Sequence, residues 1–463
     1  MVAKRLVDNT TKRRDLVLLI LAHAIAFGVF AGVYLPRAGH GFIADDFEWA
    51  LHNRSRSMAD VAAVFSRDNG FYRPAVGLTF AANEFFSGAN PRPYGITNVA
   101  LAALCAVAVF WLGRELRLPG SAATFAAAVW LLNVHGINMA VLWLSGRTAL
   151  LLTLAATTML AWLLRGRTVL ACVCLVVALL SKEEAVLLPA IGALWLYWLR
   201  PERRAQLISW AVAGVVLTAS YLLVRSITGA MTPLNAPSYY RFTFAPGAVV
   251  QNVLQYADRA FTFSLLMTLL AFAILRAIPP RPLSPHLKAI LAACAALTAG
   301  GFAITVFLPV RSSLYVCLPS VGGAIASAAC VAQAWEVASP RRRQHALVAA
   351  MLVPLALVPI HVARSVRWTS IAELSTRGLS DLQALTAGLP DGSAIVLHDA
   401  PTSRLNRANL ASAYGTLLND GFYFATGRRL SFRIEPDDPG PLQPCPSCAA
   451  EARLVDGRLL RVR

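Results

Sequence analysis

The chain has 463 residues, 57% hydrophobic and only 14% charged, with a formal net charge of +18. Soluble domains carry about 25% charged residues, and the mean hydropathy is +0.57, so an ordinary soluble protein is excluded. The basic excess does not point to nucleic acid. Lys and Arg gather in short links between apolar runs, where they set membrane orientation and meet anionic headgroups.

In chain order, apolar runs predict spans at 15–35, 94–113, 119–134, 145–164, 168–181, 184–199, 206–226, 260–276, 288–308, 312–335 and 345–363. About 20 apolar residues cross the hydrocarbon layer as a helix. The runs are continuous rather than alternating, which excludes a membrane β-barrel. The expected fold is an all-α polytopic membrane protein with about eleven spans. The first run is long and lacks a small-residue cleavage site, so it reads as a span and not a cleaved signal peptide.

Lys4, Arg5, Lys12, Arg13 and Arg14 place the N-terminus in the cytoplasm. Arg114 and Arg117, Arg165 and Arg167, Arg200 with Arg203 and Arg204, the 277–288 link with Arg281 and Lys288, and Arg341 to Arg343 then fall on the same side. Arg364 and Arg367 break this pattern. Two long outer loops follow, 36–93 and 227–259. Residues 1–364 form the membrane domain. Residues 365–463 form a small extracytoplasmic α/β domain, with a helix over 371–389, a turn at Pro390-Asp391-Gly392 and a strand over 393–398. The expected location is a cell membrane, bacterial and inner, crossed many times.

Cys105, Cys172, Cys174, Cys294, Cys317 and Cys330 lie in apolar runs and read as packing residues. Cys445 and Cys448 form one CxxC, too little for a zinc site and more consistent with a local disulfide or two thiols.

Charge at membrane depth is costly and marks candidate functional positions. Asp45 and Asp46 are adjacent carboxylates after an apolar approach. Burial and mutual repulsion would raise a pKa there and suit a general base; a solvated pair or helix cap is the structural alternative. Tyr72-Arg73-Pro74 offers a guanidinium fork for phosphate. Ser181-Lys182-Glu183-Glu184 is a charged link too tight to leave the interface, either a self-neutralised pair or a cation for an anionic headgroup. Arg311 is the single charge between two long apolar runs, and Arg147 in Trp143-Leu144-Ser145-Gly146-Arg147 is of the same kind. His135 and Asn138 precede it, with little reason to invoke a metal. One acidic pair facing several cations suits a hydroxyl nucleophile and a phosphate leaving group.

These segments, taken in order, resemble the GT-C glycosyltransferases, and most of all the protein O-mannosyltransferase branch that uses polyprenyl-phosphate sugars. The likeness runs through Asp45-Asp46, Tyr72-Arg73-Pro74 with Asn90-Pro91, Tyr94 and Asn98, the Trp143–Arg147 segment, Ser181–Glu184 with Pro189, and Arg311, Tyr315, Leu318, Pro319 and Ser320. It implies an inverting transfer at the outer membrane face, with Asp45 as base. It implies Arg73, Lys182 and Arg311 at the donor phosphate, with Arg147 beside them and Tyr72, Glu183 and Tyr315 in support. The chain departs from the branch in lacking tetratricopeptide repeats and in a loosened Arg311 segment.

The sequence therefore predicts a membrane glycosyltransferase acting on a polyprenyl-phosphate sugar and a hydroxyl acceptor: protein, lipopolysaccharide or another envelope glycan. The sequence indicates no definite cofactor and leaves a divalent cation as the candidate. The rival readings are a transporter or lipid flippase, and an inactive scaffold of the same fold. Inverted repeats and midplane breaks would favour the transporter, and the sequence shows neither.

Overall fold

The computed structural model describes residues 2–66, 71–231, 240–280, 282–399, 408–436 and 448–462, with side chains from Val17 onward. The predicted Arg281 and Cys445 lie outside these residues, as do the side chains of the basic N-terminal segment. Cys448 is disulfide-bonded.

Helix α1 (Val2–Tyr34) leads into the first long loop, which folds as three helices: α2 (Asp45–His52), α3 (Met58–Ala63) and α4 (Pro74–Ser87). Ser57 and Asp60 form a reciprocal capping box on α3, which satisfies two orphan donors at once. Next come α5 (Pro91–Glu115), α6 (Gly120–Leu131), α7 (Val134–Leu142), α8 (Arg147–Arg165), α9 (Thr168–Leu179), α10 (Leu188–Leu199), α11 (Arg204–Ile227), α12 (Pro246–Leu275), α13 (Pro285–Phe302) and α14 (Pro319–Val337). Asn90 caps α5 by accepting from the Arg92 N–H, with Pro91 and Pro93 in its first turn, a start signal legible in sequence.

All eleven predicted runs are helical, but not all are single spans. Among the described residues, eight helices are long and apolar enough to cross a membrane, and nine if α6 and α7 count as one. The predicted span 119–134 bends by 60° where α6 meets α7, so His135 and Asn138 sit on a helix and not in a loop. Helices α9 and α10 have 12 residues each.

The last predicted span and the helix expected after it are one helix, α15 (Pro340–Leu385), of 46 residues. The polar stretch between them contains no Gly or Pro, so nothing there ends the helix. At 1.5 Å per residue it is about 70 Å long and carries the membrane bundle into the C-terminal domain. That domain adds α16 (Leu410–Tyr414), α17 (Leu418–Thr426) and four strands, β1 (Ala394–Asp399), β2 (Ser431–Pro436), β3 (Ala450–Val455) and β4 (Arg458–Arg461). The order is β2-β1-β3-β4. β1 is parallel to both neighbours, with Ala394 opposite Ser431 and Ile395 opposite Ala450. β4 returns antiparallel to β3.

Two cores result. One fills the membrane bundle. The other joins the 36–93 loop to the C-terminal domain through Phe42, Phe47, Phe80, Tyr94, Tyr414 and Phe422. The two regions thus share one apolar interior.

The basic links gather at the opposite end of the bundle. Arg203 donates to the Leu164 carbonyl and Arg200 to that of Glu115, while the His286 ring meets the Leu116 carbonyl.

Candidate active site

At the other end a cavity of about 500 Å³ opens between α2, α7, the 181–184 link and α15. Its lining includes Asp45, Arg73, Lys182, Arg311 and Tyr315. The structure brings these five sequence candidates together.

Asp45 starts α2, and its position is fixed by an unusual backbone turn. Ala44 has φ 46°, a region L side chains rarely occupy. Its N–H donates to the Ala413 carbonyl at 2.8 Å, so the C-terminal domain holds the turn. Burial raises the Asp45 pKa above its ordinary value, and the α2 backbone N–H and the Arg73 charge only partly offset this.

Asp46 points away from the cavity and is fully buried. Its carboxylate accepts from the Ile43 N–H at 2.9 Å, the Ser145 N–H at 2.6 Å and the Ser145 hydroxyl at 2.5 Å. Burial pushes its pKa up to about 7 against those donors. The two carboxylates follow one another in a helix, so they face about 100° apart. Only the first reaches the cavity, and the expected catalytic role of Asp46 gives way to tethering α2 to the start of α8.

Arg147 also stands off the cavity, contrary to the sequence expectation. Its guanidinium donates to the Asn98 and Asn83 side-chain carbonyls, the Thr79 hydroxyl and the Tyr94 backbone carbonyl, and lies 4.1 Å from the Phe80 ring centroid. Asn98 in turn donates to the carbonyls of Ala140, Trp143 and Leu144. With four of its five N–H donors engaged, Arg147 is a strut joining α8 to α4 and α5.

Arg73 and Lys182 are cavity cations held from behind. Arg73 forms a two-pronged pair with Glu183, at 2.7 and 3.1 Å, and Arg225 stands 3.7 Å from the same carboxylate. Burial opposes ionisation of Glu183, but the two guanidiniums bring its pKa down to about 2. Lys182 pairs with Glu184 at 2.7 Å and lies 4.4 Å from the Tyr315 ring centroid. Tyr72 is buried against Tyr221, behind the cavity wall. Arg311 donates to the Gln251 side-chain carbonyl at 3.1 Å.

Sequence reasoning passed over several lining residues. Arg259, Arg364 and Arg367 are three of them, and Trp143 and Trp368 stack at 5.9 Å with 7° between their planes. The breach of the charge pattern by Arg364 and Arg367 was the available signal. Arg259 gave none, because it lies on a helix that begins 14 residues before the predicted span. Among the described residues no three His, Cys, Asp or Glu side chains group as metal ligands.

No protein-family model and no curated protein matches the chain. Solved structures do. ArnT from Cupriavidus metallidurans in the apo state superposes with a TM-score of 0.54 at 15% identity, covering 92% of this chain and 90% of that one. The same protein bound to undecaprenyl phosphate gives 0.51 at 15%, covering 90% and 85%. The chain shares the fold of ArnT. An archaeal oligosaccharyltransferase, AglB from Archaeoglobus fulgidus in complex with an inhibitory peptide and a dolichol-phosphate, lies further off at TM-score 0.45 and 12% identity, covering 90% of this chain and 64% of that one.

Proposed function

We propose that the protein is a membrane glycosyltransferase that moves a sugar from a polyprenyl phosphate to a hydroxyl acceptor on the extracytoplasmic face. The observation that carries this reading is the cavity that sets one carboxylate, Asp45, across from several cations. The undecaprenyl phosphate bound by ArnT supports the donor class.

In this reading Asp45 takes the acceptor hydroxyl proton. The oxygen forms its bond to the anomeric carbon from the side opposite the phosphate. The carbon–oxygen bond to phosphate breaks with its electron pair, so configuration inverts. Arg73 and Lys182, with Arg311, stabilise the negative charge gathering on the departing polyprenyl phosphate. Tyr315 and Glu183 hold those cations in place. A divalent cation, if one takes part, arrives with the donor phosphate, and a chelator arm of the assay decides it.

The basic links lie at the end remote from the cavity. By the positive-inside rule that end is cytoplasmic, which sets the cavity and the C-terminal domain outside. The test is sugar transfer from undecaprenyl-phosphate sugars by the purified protein. Asp45→Asn should reduce turnover by about 10²–10⁴-fold, the usual worth of a positioned base, with donor binding retained. Unchanged turnover in that variant would end the proposal.

A further inference from the structure

The cavity holds more positive charge than one donor phosphate needs. Lys182 is neutralised by Glu184, and Arg73 shares Glu183 with Arg225, which leaves one positive charge on that trio. Four lining arginines remain, Arg259, Arg311, Arg364 and Arg367, and among the described residues none forms an ion pair with a carboxylate. Against them stand Asp45 inside the cavity and Asp258 beside it on α12, whose Oδ1 accepts from the Thr262 hydroxyl at 2.6 Å. A donor phosphodiester brings one further negative charge. A positive surplus is left, in a cavity whose half-enclosed walls strengthen every charge interaction.

Three of these arginines lie on two helices that pack together, Arg259 on α12 and Arg364 and Arg367 on α15, whereas Asp45 starts α2. Arg259 is fixed by donating to the Arg311 backbone carbonyl at 3.1 Å. Arg364 and Arg367 are three residues apart on α15 and share a face. The stacked Trp143–Trp368 pair forms a flat wall next to them. Asn138, also in the lining, is held by the Ser365 hydroxyl at 3.0 Å and by Tyr34, which meets the His361 ring. A buried polar network thus anchors this wall to α1 and α15.

We infer that Arg259, Arg364 and Arg367 form a second anion subsite, separate from the donor phosphate at Arg73 and Lys182, and that the acceptor carries a phosphate or carboxylate near its reacting hydroxyl. This rests on the glycosyltransferase reading and adds the chemical class of the acceptor. Guanidiniums suit either anion, because their donors match two oxygens at once.

The full chain in phosphatidylcholine nanodiscs is first saturated with undecaprenyl phosphate. Inorganic phosphate is then titrated and followed by ³¹P line broadening. Phosphate should still bind the saturated protein. The exposed pair changed to Arg364→Gln/Arg367→Gln should weaken that binding about tenfold or more, and Arg259→Lys should weaken it without unfolding risk. Arg73→Gln should instead weaken undecaprenyl phosphate. Phosphate excluded by saturation, or equal loss of both ligands in the double variant, would overturn the subsite. So would a double variant that loses only its preference for phosphatidylglycerol nanodiscs while phosphate binding persists, since the arginines would then be a surface anchor. Failure of undecaprenyl phosphate to bind at all strikes the donor reading instead, because the variants score phosphate separately.

Discussion

Asp45 and Asp46 are chemically identical neighbours with opposite surroundings, and two measurements should separate them. A base works only when ionised. Burial raises the Asp45 pKa, so turnover should fall as pH drops through a point above the ordinary value for an aspartate. This acid limb should vanish in Asp45→Asn. Asp46 belongs to stability. Its pKa in the fold, about 7, lies above its ordinary value of 3.8. The fold therefore favours the protonated form. That contribution is whole below about pH 4 and is lost as pH rises through 7. Asp46→Asn keeps two of the three donors at best, so it should cost about 1–3 kcal/mol and flatten the fall in Tm between pH 4 and 8. A lost transfer activity with unchanged Tm would reverse these roles.

Among the elements, α2 depends on the C-terminal domain. The Phe47 ring lies against Gly421 of α17, where an added Cβ would come within 3.1 Å of it. Tyr414 stacks on the same ring at 5.9 Å, and its hydroxyl donates to the Ser375 carbonyl of α15. The domain therefore holds the helix that presents Asp45. Gly421→Leu should cost about 1–3 kcal/mol by overpacking. It should also lower turnover more than donor binding, since Arg73 and Lys182 are supported from α11 and the 181–184 link. Equal effects on both would show that α17 does not set α2.

For the whole molecule, the separation of basic links from the cavity predicts sidedness. An epitope inserted at Gly166, in the α8–α9 link, should be shielded in spheroplasts, whereas one at the C-terminus should be reachable. Both tags on one side would contradict the orientation. The 46-residue α15 runs from the basic end to the C-terminal domain as one helix, with Pro354 and Pro359 inside it.

The sequence by itself determined the membrane class, the helical identity of every apolar run and a strand expected over 393–398 and found at Ala394–Asp399, because hydrophobicity and turn residues act locally. The set of motifs that converge was also legible. Which member of each motif faces the cavity was not. Helical phase turned Asp46 and Arg147 inward to bonding partners 99 and 49 residues away. The 60° bend after α6 and the early start of α12 brought His135 and Arg259 to the wall. Arg364 and Arg367 looked like exceptions to a charge rule until the long helix placed them there. Burial, ion pairing and the shared interior of loop and C-terminal domain are properties of packing between distant segments, and only the tertiary structure could set them.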